Sequence, residues 1–151
     1  MTNATHGERR KVAVLGGGAW GTALAKLLAD KGDDVSLWCR REELADAINR
    51  TRVNERYLPG APLAATLSAT ADMPRALDGA GMIVFVAPSH ATRDVARAAA
   101  AHVANNALIV SATKGIENDS LDFIDQILAA ELPSHTHPRL AFLSGPSFAK
   151  E

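Results

Sequence analysis

A single cysteine, Cys39, in 151 residues excludes an internal disulfide and fits a reducing compartment, so a cytoplasmic protein is expected. Charge of one sign is equally scarce. Sixteen Lys and Arg against seventeen Asp and Glu leave a formal net charge of -1, which removes the general electrostatic case for nucleic acid or an anionic membrane as partner. Long hydrophobic runs are missing too. Met1 to Arg10 is polar and lacks the apolar core of a secretory signal. The alanine-rich run from Ala98 to Ala107 is interrupted by His102, Asn105 and Asn106, so it reads as a helix ending in a turn, and no membrane span is expected. His135 and His137 flank Thr136 with no third ligand suggested nearby, which argues against a metal site. What remains, 47% hydrophobic and 22% charged, is ordinary for one globular domain with a sizeable core.

Against this plain background, one stretch is dense in information. Lys11-Val12-Ala13-Val14-Leu15 reads as an apolar strand, and it runs into Gly16-Gly17-Gly18-Ala19-Trp20-Gly21, a G-x-G-x-x-G, and then into a helix. That order is what a dinucleotide phosphate needs. Gly16 permits the tight turn off the strand, Gly18 lets backbone approach a pyrophosphate, and Gly21 lets helix and strand pack closely. The unpaired amides of the first helical turn then face the phosphates. Trp20, Leu24, Leu27 and Leu28 are expected on the buried face of that helix.

Strand and helix then alternate. Asp34 to Trp38 reads as a strand, and Glu42 to Arg50 as a helix with Leu44, Ala47 and Ile48 inward. A polar, proline-bearing loop is expected over Thr51 to Pro62, a weak strand near Leu63 to Leu67, and a short helix around Pro74 to Leu77. Met82 to Ala87 is apolar without alternation, as a strand covered on both faces requires, and an alanine-rich helix follows with Ser89 as its expected cap. Leu108 to Ser111 is the next strand, Leu121 to Leu132 a helix capped by Asp119 or Ser120, and Leu140 to Leu143 a final strand. Six strands separated mostly by helices imply α/β architecture, a doubly wound, Rossmann-like parallel sheet. Residues 1–10 are expected to form a flexible tail, and 11–151 a dinucleotide-binding domain ending just after its sixth strand.

In such a sheet ligands sit beyond the carboxyl ends of the strands, at the switch point. A strict NAD site would place Asp or Glu after the second strand for the ribose hydroxyls, but this chain has Cys39-Arg40-Arg41, and guanidinium groups suit a 2′-phosphate. NADP or NAD is therefore expected, with NADP favoured; the bland alternative leaves both arginines solvated or one stacked on adenine. Lys114 follows a buried strand, where an ammonium can polarise a carbonyl or bind a phosphate, unless it is an ordinary loop lysine. Gly145-Pro146-Ser147 offers amides and a hydroxyl to an anionic substrate, or is simply a turn. His90 is a weaker candidate for the nicotinamide pocket. Cys39 reads as a small packing residue, and Arg50, Arg52 and Arg56 as a solvated face.

Taken together, Leu15 to Ala25, Leu37-Trp38-Cys39-Arg40, Asn54 to Gly60, Pro88-Ser89-His90, Ser111 to Glu117 and Leu143 to Glu151 resemble bacterial NAD(P)-dependent glycerol-3-phosphate dehydrogenases, in the family's order. The resemblance implies interconversion of dihydroxyacetone phosphate and sn-glycerol 3-phosphate, for phospholipid synthesis. It implies cofactor contacts at Gly16, Gly18, Ala19, Trp20, Gly21, Arg40, Arg41, Lys114 and Ala149, and substrate contacts at Lys114, Gly145 and Ser147. Ala19 departs from a common serine, and Gly17 from a common alanine. The family continues into a helical domain with the proton-transferring lysine. This chain is expected to lack that domain, to be essentially inactive alone, and to expose apolar surface near Phe142, Leu143 and Phe148. A small phosphorylated substrate is implied as partner, and a homodimer is conceivable for the longer protein. Two other readings stay open: a related hydroxyacid dehydrogenase, and a non-catalytic dinucleotide-sensing module.

Overall fold

Apolar residues on both faces of a strand demand a cover on both sides, and the computed structural model, which describes residues 9–145, supplies it. A parallel sheet has the order β5-β2-β1-β6-β7-β8. Its strands are β1 (Lys11–Leu15), β2 (Asp34–Trp38), β5 (Leu67–Thr70), β6 (Met82–Phe85), β7 (Leu108–Ser111) and β8 (Leu140–Phe142). The chain winds outward from β1 through β2 to β5, then returns to β6 and winds the other way. The switch point therefore falls between β1 and β6, which pair with Leu15 opposite Phe85.

Alternation along β1 divides the core. Val12 and Val14 pack with Val35, Leu37 and Val84 against α1 (Ala19–Asp30) and α2 (Glu42–Thr51), through Ala25, Ala29, Ala45 and Ile48. Ala13 and Leu15 face the opposite way, with Ile83, Phe85 and Ile109, toward α3 (Met73–Leu77), α4 (Ser89–Ala99) and α5 (Ile124–Glu131). Helices thus cover both faces of one sheet, the doubly wound α/β arrangement the alternation implied.

Several local expectations give way to tertiary packing. On α1 the fully covered positions are Gly21, Thr22, Ala25 and Ala29, while Leu27 is half exposed. The small residues lie directly against the sheet, Trp20, Leu24 and Leu28 pack half-buried against the same core, and of the four expected inward positions Leu27 turns outward. The expected loop over Thr51 to Pro62 is instead an antiparallel hairpin, β3 (Val53–Asn54) and β4 (Leu58–Pro62), whose irregular register accommodates its prolines. Arg52 is no member of a solvated face. It closes α2 with φ +58° and donates to the carbonyls of Ala64 and Leu67, the latter at 2.8 Å. The strand expected near Leu63 to Leu67 begins at Leu67. Its entry is set by Asn49, which exchanges two 2.8 Å hydrogen bonds with Ala69.

Ser89 does not cap α4. Pro88 occupies the cap, and the carbonyl it contributes is taken by Thr92 Oγ1 at 3.0 Å. α5 starts three residues later than expected, because Glu117 and Asp122 pair across a loop closed by an Ile116–Phe123 bridge, with Leu121 at φ +62°. Its N-terminus is held by Gln126, which accepts from the Phe123 amide at 2.8 Å, so neither Asp119 nor Ser120 is the cap.

Candidate functional site

The carboxyl ends of β1, β2, β6 and β7 open onto a cleft of about 600 Å³, floored by Gly16 to Gly21 and walled by Trp38, Arg40, Arg41, Tyr57, His90 and Lys114. It sits at the switch point. Gly16 turns the chain with φ +140°, and its amide donates to Trp38 O at 3.2 Å, fastening the loop to β2. A side chain on Gly21 would place its Cβ 1.8 Å from Gly16 O. A side chain on Gly18 would meet nothing within 4 Å. The two glycines therefore serve different ends: Gly21 lets the chain fold, and Gly18 keeps open ground at the mouth of the helix.

The helix behind it fits an anion. α1 has no side-chain cap and no acidic residue in its first turn, so the positive end of its dipole stands uncompensated at the cleft. Trp20 Nε1 is buried and meets no acceptor among the described residues. Such a donor set matches the phosphates and polar edges of a dinucleotide.

At the second-strand end, Cys39 is completely buried, and burial raises its thiol to about 11, so it is a packing residue rather than a nucleophile. Its sulfur occupies the place a Gly17 Cβ would need, 2.5 Å away. Gly17→Ala is expected to cost about 1–3 kcal/mol of stability by overpacking, and the Gly17→Ala, Cys39→Ala double substitution to recover most of it in urea titrations. Strictly additive losses would disprove the coupling.

Arg40 and Arg41 both line the cleft, and Arg41 Nη2 donates to Tyr57 Oη at 3.0 Å. The hairpin carrying Tyr57 is pinned to the glycine loop by Asn54, fully buried, whose Nδ2 donates to Gly17 O at 3.0 Å and Thr22 Oγ1 at 2.8 Å. Sequence reading assigned no role to either residue. An asparagine in a polar loop carries no periodic signal, and nothing local shows that a glycine loop lies above it.

Lys114 and Gly145, each expected by resemblance to contact the substrate, are brought together: Lys114 Nζ donates to Gly145 O. Ser147 and Ala149 lie outside the described residues, as does Phe148, while Phe142 and Leu143 are half exposed as expected. The loop bearing Lys114 is clamped on both sides. Thr113 Oγ1 donates to Ala87 O at 3.1 Å, and Glu117 accepts from Arg93 Nε and Nη2 at 3.0 and 2.7 Å. Arg93 also pairs with Asp122 and Glu131, and Arg97 with Glu131. The Arg93 guanidinium, helped by the Ser120 hydroxyl, holds the Glu117 carboxyl below the usual carboxylate range, and Arg97 and then Arg93 do the same for Glu131.

Both carboxyls are thus more acidic folded than unfolded. Their contribution is present above the ordinary glutamate pKa of about 4.3 and lost as pH falls through the lower folded values. Urea midpoints are expected to drop between pH 7 and pH 3, and the drop to shrink in Glu117→Gln. An unchanged drop in that variant would contradict the assignment.

Among the described residues no cluster of His, Cys, Asp or Glu is arranged to hold a metal ion, and no helix is long and apolar enough to cross a membrane. Comparison with known proteins gives a consistent result. The model of the NAD-dependent glycerol-3-phosphate dehydrogenase N-terminus matches residues 11–151. A glycerol-3-phosphate dehydrogenase (NAD(P)+) of Anaeromyxobacter dehalogenans is 49% identical over 93% of this chain and 42% of its own length. The corresponding enzyme of Leptospira biflexa is 44% identical with the same coverage. The crystal structure of a glycerol-3-phosphate dehydrogenase from Coxiella burnetii superposes with a TM-score of 0.83 at 35% identity, over 93% of this chain and 42% of that one. The chain thus spans about two fifths of the length of these relatives.

Proposed function

The chain belongs to the family of NAD-dependent glycerol-3-phosphate dehydrogenase N-terminal domains, and on that premise we propose that its cleft binds NADP or NAD as the cofactor half of an enzyme interconverting dihydroxyacetone phosphate and sn-glycerol 3-phosphate. The observation that carries this reading is the uncapped N-terminus of α1 opening beside Gly18, where no side chain obstructs a pyrophosphate. In this reading the amides of Ala19, Trp20 and Gly21 hold the phosphates. Arg40 and Arg41 receive the adenosine end, where guanidiniums stand directly after Cys39 in place of a ribose-binding carboxylate and favour a 2′-phosphate.

When bound, the nicotinamide supplies the hydride that reduces the C2 carbonyl of the substrate. Lys114, held by Thr113 and Glu117 on either side, orients its ammonium toward the substrate oxygens and stabilises charge there. Gly145, and by resemblance Ser147, contribute on the same side, and Ala149 on the cofactor. The product is a building block for phospholipid synthesis. We infer that the proton-transferring lysine belongs to the part of the relatives that these 151 residues do not span, and that residues 1–151 alone bind the dinucleotide with turnover near zero.

Binding is the direct test. NADPH affinity is expected to fall about tenfold or more in Arg41→Ala and to fall in Arg40→Ala, with NADH affected far less, as loss of charge-assisted contacts to a phosphate predicts. Titration by nicotinamide fluorescence distinguishes the outcomes. Unchanged NADPH affinity and an unchanged NADPH/NADH ratio in both variants would refute the NADP preference. Substantial dihydroxyacetone phosphate-dependent NADPH oxidation by residues 1–151 would refute the division of the active site.

A further inference from the structure

Arg40 and Arg41 are adjacent, yet the structure treats them differently. Arg40 makes no hydrogen bond or ion pair among the described residues, whereas Arg41 Nη2 donates to Tyr57 Oη at 3.0 Å. Arg41 borders two spaces, the main cleft and a second groove of about 580 Å³ between α2 and the β3–β4 hairpin; Tyr57 lines the main cleft and not the groove. The bond to Tyr57 therefore draws the Arg41 guanidinium to the cofactor side.

Tyr57 is itself placed with little freedom. Its amide donates to Asn54 O at 3.2 Å and Asn54 Oδ1 at 3.3 Å, and the Arg56 guanidinium lies 5.4 Å from its ring centroid. Asn54 in turn donates to Gly17 O. A continuous chain of contacts thus refers the guanidinium at the second-strand end to the glycine loop at the first. Those are the two places where a dinucleotide's adenosine phosphate and pyrophosphate would lie.

Resting on the dinucleotide reading above, we propose that Tyr57 sets the preference for NADP over NAD, by holding Arg41 ready for the 2′-phosphate. Phenol oxygen accepts one N–H of the guanidinium and leaves the others for the phosphate. A preordered arginine loses less rotamer freedom on binding than a loose one, so Arg41 contributes more discrimination than Arg40. Tyr57 is a positioning residue; NAD, with no 2′-phosphate, gains nothing from it.

The test compares NADPH and NADH affinities in the wild type, Tyr57→Phe, Arg41→Ala and the double variant, with thermal unfolding as a check on the fold. Tyr57→Phe keeps the ring and its contact with Arg56, so the hairpin is preserved. It is expected to weaken NADPH about five- to tenfold and NADH by less than about twofold, and to add nothing to the loss in Arg41→Ala. Equal loss for both cofactors would show a merely structural tyrosine and overturn the proposal. NADPH affinity retained in Tyr57→Phe but lost in Arg41→Ala would overturn it while leaving the NADP reading intact. No loss in Arg41→Ala would overturn this role, and only with no loss in Arg40→Ala as well would the NADP reading fall.

Discussion

Gly21→Ala is expected to destabilise the protein by about 2–4 kcal/mol, although alanine is the better helix former. Two effects oppose each other at this position. Within a helix, alanine gains roughly 0.5–1 kcal/mol over glycine through reduced backbone entropy of the unfolded chain. Here the new Cβ falls 1.8 Å from Gly16 O and 2.9 Å from Gly16 C, backbone atoms tied through the Gly16 amide to Trp38 O. Nothing flexible can yield, so α1 must move off the sheet or the glycine loop must open. Either movement also displaces the amides proposed to hold the phosphates.

Gly18→Ala supplies the contrast. Gly18 has φ -76° and ψ -174°, which alanine adopts without strain, and its Cβ would meet open space, so stability is expected within about 0.5 kcal/mol of wild type. Dinucleotide affinity should nevertheless fall by about tenfold or more, because the methyl group stands where a pyrophosphate must approach backbone. Chemical denaturation and cofactor titration of the two variants give opposite patterns. Comparable stability losses, or unaltered binding in Gly18→Ala, would contradict the assignment of the loop.

The second large effect is expected at Asn54. Its buried amide joins hairpin, glycine loop and α1 through Gly17 O and Thr22 Oγ1, and Thr22 is itself fully buried. Asn54→Ala leaves the Gly17 carbonyl and the buried Thr22 hydroxyl short of a donor, at a cost of about 2–4 kcal/mol. Asn54→Asp is isosteric but turns acceptor oxygens toward an acceptor carbonyl. At neutral pH it should be worse than alanine, and acidification should relieve the defect, since burial raises the new carboxyl's pKa and only the protonated acid can donate. Urea midpoints from pH 8 to pH 5 check this: the variant should gain stability relative to wild type as pH falls. A variant that lost stability in parallel with wild type would show that the amide is not buried as a donor.

Much of the molecule is legible in order along the chain. β1, β6 and β7 could be located because buried parallel strands require apolar runs, β2 because Val35 and Leu37 alternate with Asp34 and Ser36, and α2 because its apolar positions recur at helical spacing. Signals that depend on a partner far away in sequence misled. Leu27 sits on the arc expected to be buried, yet α1 presses its small residues on the sheet and turns Leu27 outward. Asp119 and Ser120 look like caps, but Ser120 spends its hydroxyl on Glu117 at 2.5 Å within the Arg93 network. Prolines over Thr51 to Pro62 suggested a loop, whereas a short two-stranded hairpin of irregular register tolerates them.

By itself the sequence determined the class of fold, the glycine loop at the head of the first helix, the two arginines at the end of the second strand, and the kinship carried by motifs in a fixed order. These are properties of neighbours in the chain, where spacing alone decides which face a residue takes. Tertiary structure alone decided that Cys39 sulfur fills the room beside Gly17, that Asn54 ties a hairpin to the glycine loop, and that Arg41 donates to Tyr57 while Arg40 makes no hydrogen bond among the described residues. Each of these joins segments some fifteen to forty residues apart. Steric exclusion and the need to pair every buried polar group act on such contacts only after the sheet has brought them together.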